Sequence, residues 1–225
     1  MQLERLEGPR RPTLEDTIDF INTLEHSRRG DIEHLPTLEA ALDWLAGRGL
    51  IGGPGPRDVT GPGPRDVTGP GNGSATATAA EDALLDALRR ARAAFRSVVD
   101  AVVDRRPPEE AALAEMNRLL AGQPAPVLVA VEDGVAVAER PATDPVAAAL
   151  ARLAEPIVEL IESGERERLR TCANPSCRWV FYDASRTGRR RWCEMATCGN
   201  RAKAARHRAR RASRATGSSG AVGEA

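Results

Sequence analysis

Aromatic side chains make up only 3% of the 225 residues, so a core built from this chain must be filled mainly by Ala, Leu and Val. Lysine is nearly absent: Lys203 is the one lysine among 32 basic residues, and the rest are arginine. With the abundance of Ala, Gly and Pro, that bias fits GC-rich coding and a bacterial source. No stretch approaches the roughly 18 apolar residues that a membrane span needs. The opening MQLERLEGPRRPTLEDT also lacks the apolar segment of a signal peptide. These absences lead to the expectation of a soluble, cytoplasmic protein with no membrane partner. The three histidines, His26, His34 and His207, are not at metal-site spacing, and no Ser/His/acid or phosphate-loop pattern occurs. Little therefore points to an enzyme. Cysteine is missing from all of the chain except the segment from Cys172 to Cys198, which holds all 4.

What is present is ordinary in amount and uneven in placement. An apolar content of 41% permits a real core, and the length suits one medium domain and one small one. The formal net charge is zero, yet Met1 to Gly164 carries 17 basic and 27 acidic residues, whereas Glu165 to Arg214 carries 15 basic and 4 acidic. Two opposed halves, near −10 and +11, make up that zero. Such asymmetry points to an anionic partner for the C-terminal half.

Helical periodicity dominates the first half. Thr13 with Asp16 predicts a cap for a helix carrying Leu14, Ile18, Ile21 and Leu24. A second helix is predicted from Thr37 to before Gly47 or Gly49. Residues 53 to 71 then repeat an octapeptide, GPGPRDVT, with too much Gly and Pro for a packed element, and 52–76 is expected to be a disordered insertion. Thr78 and Glu81 open a predicted helix of about 25 residues with the stripe Leu84, Leu88, Ala91, Phe95, Val98 and Val102. Pro107 and Pro108 separate it from another helix that Gly122 closes. VLVAVEDGVAVAE predicts a hairpin around Asp133-Gly134. Asp144-Pro145 opens a last helix, in which Pro156 is expected to produce a kink. Asn22, flanked by Phe20, Ile21 and Leu24, is a candidate for a small-molecule pocket, although such an asparagine is more commonly a satisfied helix residue.

The cysteines follow Cys172-x4-Cys177-x15-Cys193-x4-Cys198, the spacing of two zinc knuckles with room for a hairpin between them. Four thiolates complete a tetrahedral site and leave no open position, which argues for one structural Zn²⁺ and not a catalytic metal. Buried reduced thiols and an iron–sulfur cluster are the alternatives. About 45 residues cannot hold themselves together without such a staple. RWVFYD (178 to 183) alternates like a strand, and Trp179, Phe181, Tyr182 and Trp192 supply a small core in preference to base-stacking platforms. From Cys198 onward a helix is predicted, bearing Arg201, Lys203, Arg206, Arg208, Arg210 and Arg211 on more than one face. A strand, a metal and a basic helix in one module favour nucleic acid as the partner.

The stretch CANPSC…RRWCEMATCGNRAKAARHRAR resembles the CGNR zinc-finger domain, named for the tetrapeptide Cys198-Gly199-Asn200-Arg201. The preceding region, from DTIDFINTL through RPPEEAALAEMNRLLA and the hairpin, is similar to the ABATE domain. The combination belongs to bacterial proteins regarded as stress-induced transcription regulators, and the resemblance implies zinc and DNA binding. The octapeptide repeat is no part of that pattern.

The expected architecture is thus mainly α with a β-hairpin over residues 1–164, followed by a small zinc-stapled β-hairpin/helix domain over 165–212 and a disordered tail over 213–225. Cys172, Cys177, Cys193 and Cys198 are the expected metal ligands. Arg189, Arg190, Arg191, Arg201, Lys203, Arg206, Arg208, Arg210 and Arg211 are the expected nucleic-acid contacts. The expected function is transcription regulation through duplex DNA, with the N-terminal domain sensing a small-molecule ligand or assembling. An RNA-binding accessory protein or a protein-interaction adaptor using the same zinc module is the alternative.

Overall fold

Helix initiation follows the local capping chemistry. Thr13 is extended (φ −98°, ψ 168°), its Oγ1 accepts from the Asp16 N–H, and the Asp16 carboxylate accepts from the Thr13 N–H at 2.7 Å. This reciprocal cap opens α1 (Leu14–Asn22). Two short strands follow that the sequence pattern did not predict, β1 (Leu24–Glu25) and β2 (Ile32–Glu33), paired antiparallel. Thr37 Oγ1 accepts from the Ala40 N–H to start α2 (Leu38–Gly47), and Gly49, at φ +66°, turns the chain out of it. The computed structural model describes residues 9–52, 79–122, 126–131, 134–139 and 144–217. The octapeptide repeat lies outside them.

The long amphipathic pattern forms α3 (Ala79–Asp104), of 26 residues. The Pro107-Pro108 break separates it from α4 (Glu110–Ala121), whose last turn closes on Gly122. β3 (Pro126–Val131) and β4 (Gly134–Glu139) pair antiparallel with Val131 opposite Gly134, which places Gly134 in the strand and not in the turn expected at Asp133-Gly134. Asp144 Oδ1 accepts from the Val146 and Ala147 N–H groups and starts α5 (Pro145–Glu162). Pro156 does not end that helix. An interior proline costs about 3 kcal/mol, and burial of Leu150, Leu153, Ile157 and Leu160 against the core offsets it at roughly 1.5–3 kcal/mol each.

α3 packs on α1, α4 and α5, and α1 also rests on α5. At the centre the Phe20 ring meets Phe95 edge-on at 5.8 Å and Trp44 at 5.6 Å. With so few aromatics, the remaining core is Ala, Leu, Ile and Val: Ala91, Ala149, Leu45, Leu50, Leu153, Ile157 and Val99 are fully buried. Arg92, on α3, is buried with them. Its guanidinium grips both oxygens of Glu33 and donates to Thr23 Oγ1 at 2.9 Å, which ties the small β1–β2 hairpin to α3.

After Gly164, in the left-handed region at φ +75°, a turn of 3-10 helix leads into β5 (Leu169–Thr171), which pairs antiparallel with β6 (Val180–Tyr182). The strand expected in RWVFYD is therefore present. Its partner, however, precedes Cys172, so the hairpin encloses the first cysteine pair and does not lie between the two pairs. Leu169 and Val180 are buried in the same cluster as Phe20, Phe95 and Leu153, with β5 against α3 and β6 against α1. The C-terminal region thus shares a core with the helical one. A π turn (Met195–Gly199) then passes into α6 (Asn200–Gly217), which continues past residue 212 through part of the expected tail. Among the described residues, no helix is long and apolar enough to cross a membrane.

Candidate metal centre and basic surface

The four cysteines come from three pieces of chain. Cys172 follows β5, Cys177 ends a tight turn, and Cys193 and Cys198 bracket the start of the π turn. Asn174 builds the first knuckle: its Oδ1 accepts from the Ser176 N–H at 3.2 Å, its carbonyl accepts from the Cys177 N–H at 2.9 Å, and its Nδ2 donates to Cys198 Sγ at 3.5 Å. Arg178, next in the chain, takes a left-handed conformation (φ 51°) to send the backbone into β6. In the second knuckle, Gly199 is buried and its N–H donates to the Glu194 carbonyl. A Cβ on Gly199 would stand 2.2 Å from Sδ of Met195, so a larger residue there would require the exposed methionine side chain to move. Asn200 Nδ2 donates to the Ala196 carbonyl at 3.0 Å and braces the same turn.

The result is a cluster in which all four Sγ atoms lie within 4.8 Å of one another. Cys177 to Cys193 is 3.7 Å and Cys193 to Cys198 is 3.8 Å. Four sulfurs placed about 2.3 Å from a central zinc form a tetrahedron with edges of about 3.8 Å, so donor type, number and spacing all fit one zinc ion. The cysteines are free thiols, far from disulfide separation. The thiols already compete for protons. A hydrogen bond from Cys193 holds Cys177 down at about 5, against the opposing effect of burial. The same bond, with burial and neighbouring thiolates, pushes Cys193 up. Burial also raises Cys172. Trp179, Trp192 and buried Phe181 pack against the cluster as expected, whereas Tyr182, expected with them, packs against the main core.

The nine expected basic contacts separate into different settings. Arg190 is committed to the module itself: Nε donates to the Trp192 carbonyl at 2.8 Å, a second nitrogen donates to the Cys193 carbonyl, and the guanidinium lies over Phe181 at 4.8 Å. Its N–H donates to Asp183, a fully buried carboxylate that also accepts from the Ser185 N–H. Arg191 stands over Trp192 at 5.3 Å with an exposed side chain, and Arg189 is exposed. Arg201, Lys203, Arg206, Arg208, Arg210 and Arg211 are all exposed on α6. From Lys203 to Arg211 every residue of that helix faces solvent, and its sequence contains no acidic residue.

Asn22 sits among polar contacts with the C-terminal region. It is buried, and its amide completes both hydrogen bonds with one strand residue: Nδ2 donates to the Val180 carbonyl at 2.9 Å, and Oδ1 accepts from the Val180 N–H at 3.0 Å. In this way the side chain imitates a neighbouring strand. Its role, docking β6 on α1, spans 158 residues of sequence. No local signal could have revealed it. The helical region adds to the basic surface as well. Arg28 and Arg29, in the loop between β1 and β2, are exposed, and Arg28 Nε donates to Ser176 Oγ at 3.1 Å.

A helical domain sharing its core with a four-cysteine, zinc-compatible module that ends in a basic helix defines the class of protein. Residues 17–164 match the ABATE family, described as "Putative stress-induced transcription regulator", and residues 168–211 match the CGNR zinc finger. The chain belongs to the ABATE family and carries a CGNR zinc finger at its C-terminal end. No curated protein matches the chain.

Proposed function

We propose that the protein is a non-catalytic, cytoplasmic transcription regulator that binds duplex DNA through the zinc-finger module. Cys172, Cys177, Cys193 and Cys198 hold one structural zinc, which orients α6. Arg201, Lys203, Arg206, Arg208, Arg210 and Arg211, with Arg189 and Arg191 beside them, contact phosphates or base edges. The observation carrying this reading is α6 itself. A helix whose exposed charges are all cationic has neither an apolar face to bury nor opposite charges to pair, and like charges one turn apart, such as Arg206 and Arg210, weaken it when it stands alone. A polyanion supplies the missing counter-charge. The helical domain senses a ligand or assembles, and it meets the module at β6, which rests on α1 through the Asn22–Val180 hydrogen bonds.

The test is titration of zinc-loaded full-length protein with duplex DNA at several salt concentrations, with structured RNA as competitor. Six to ten phosphate contacts predict a loss of roughly 10³–10⁵ in affinity between 50 and 200 mM salt. Zinc-loaded protein that ignores duplex DNA at low salt, or that structured RNA removes from it preferentially, would sink the reading.

A further inference from the structure

The helical domain and the zinc finger face each other across an open cleft of about 1320 Å³. One wall is α6 with both knuckles, Cys177, Cys193 and Cys198 among them. The other is the loop between β1 and β2, which belongs to the ABATE domain. Its arginines are Arg28, Arg29, Arg191, Arg201, Arg206 and Arg208. Two carboxylates share the lining. Glu25 already pairs with His34 Nε2 at 3.2 Å, and Glu194 accepts from Thr197 Oγ1 at 2.9 Å. Arginines therefore outnumber carboxylates in the cleft and stand on both walls, while a zinc tetrathiolate at Cys177, Cys193 and Cys198 would add negative charge to the zinc-finger side.

Loop placement is built into the fold. Arg92 clamps β2 to α3 through Glu33, which fixes the hairpin that carries the loop. Ser27 Oγ donates to the Gly30 carbonyl at 2.7 Å and accepts from the Arg29 N–H at 3.2 Å, and Gly30 turns the chain at φ +112°. Arg28 then bridges to Ser176 on the first zinc knuckle. Arg29 makes no ion pair among the described residues. Opposite them, the small side chains of Ala202, Ala204 and Ala205 line the cleft beside the arginines of α6.

We infer that the β1–β2 loop is the second half of the nucleic-acid surface: while α6 engages the duplex, Arg28 and Arg29 take phosphates of the backbone strand that passes through the cleft. This inference rests on the DNA-binding reading above and extends it to a domain outside the zinc finger. It makes the ABATE domain a direct DNA contact as well as the support of the module. Like charges gathered on facing walls repel one another, and a bound phosphate chain relieves both walls together.

The experiment uses zinc-loaded full-length protein and a mixed-sequence DNA duplex, with affinity measured against salt. Arg28→Ala/Arg29→Ala should flatten the slope of log affinity against log salt by about 1.8, which corresponds to two phosphates. Arg29→Ala alone, which leaves the Ser176 contact intact, should flatten it by about 0.9. Zinc content and melting temperature should match the unsubstituted protein in both. Arg206→Ala/Arg208→Ala serves as the α6 control. A flattened slope for the α6 variant with an unchanged slope for both loop variants would overturn the inference and leave the DNA-binding reading standing. Failure of the unsubstituted protein to bind the duplex at low salt, or capture of structured RNA in its place, would overturn both.

Discussion

Burial pushes the Asp16 carboxyl up, but bonds from the Arg10 guanidinium, the Thr13 N–H and the Thr13 hydroxyl more than offset that and hold it at about 2. A depressed carboxyl contributes stability that is complete above its unfolded value near 4 and disappears as pH falls towards 2. Full linkage for such a shift is ~2.4 kcal/mol, and solvent screening at the half-exposed Arg10 reduces it to about 1–2 kcal/mol. Asp16→Asn should therefore destabilise the protein by that amount at neutral pH, with the difference closing by about pH 2. Urea unfolding across pH would measure it, and a constant difference would refute the linkage. Arg92 carries a larger effect. Removing a buried cation leaves Glu33 without its partner, and such losses cost about 3–5 kcal/mol. Glu33 retains partial exposure, so Arg92→Ala should fall near 3 kcal/mol, with amide exchange accelerated first at His34, whose N–H donates to the Thr23 carbonyl.

At the scale of elements, zinc and the apolar core hold different parts of the C-terminal region. The two knuckles, 172–177 and 193–198, and the start of α6 depend on the four sulfurs, because Cys172, Phe181 and Cys198 form a cluster separate from the main core. β5 and β6 depend on Leu169 and Val180, which belong to the main core. Cys193→Ser, or chelation, should therefore melt the knuckles and detach α6 while the β5–β6 pair stays protected. Amide exchange resolved by residue would show this, and simultaneous loss of Val180 protection would contradict it. The same division explains what could be read in advance. The caps at Thr13, Thr37 and Asp144, the stripe of α3 and the cysteine spacing are local signals of a few residues each, and they were legible. β5 has only three residues and no alternation long enough to register. Asn22 on Val180 and Arg28 on Ser176 join positions about 150 residues apart, and such pairings exist only once the chain has folded. Arg190 carries the same basic side chain as its neighbours, and only the ring of Phe181 beneath it sets it apart.

For the whole molecule, the question is what keeps an acidic half and a basic half together. Charge is the obvious candidate, but the ion pairs across the boundary are weak: Arg105–Glu167 is exposed on both sides, and Arg178–Asp100 is exposed on the arginine side. Each contributes about 0–1 kcal/mol and less in salt. Burial of Leu169 and Val180 contributes roughly 1.5–3 kcal/mol apiece, and the Asn22–Val180 pairing adds to it. Apolar packing therefore wins. On the proposed DNA-binding function, raising salt should release DNA long before it loosens the module. Truncation after Gly164 should be far more damaging than any loss of ion pairs. It uncovers the α1 and α3 surfaces that Leu169 and Val180 fill, and about 3–6 kcal/mol is a large share of a typical stability of 5–15 kcal/mol. The truncated chain should melt roughly 10–20 °C below the full one, whereas Arg178→Ala in the full chain should change stability by less than about 1 kcal/mol. A truncated domain as stable as the intact protein would mean that the zinc finger is only tethered, and that the shared core contributes nothing to holding the two halves together.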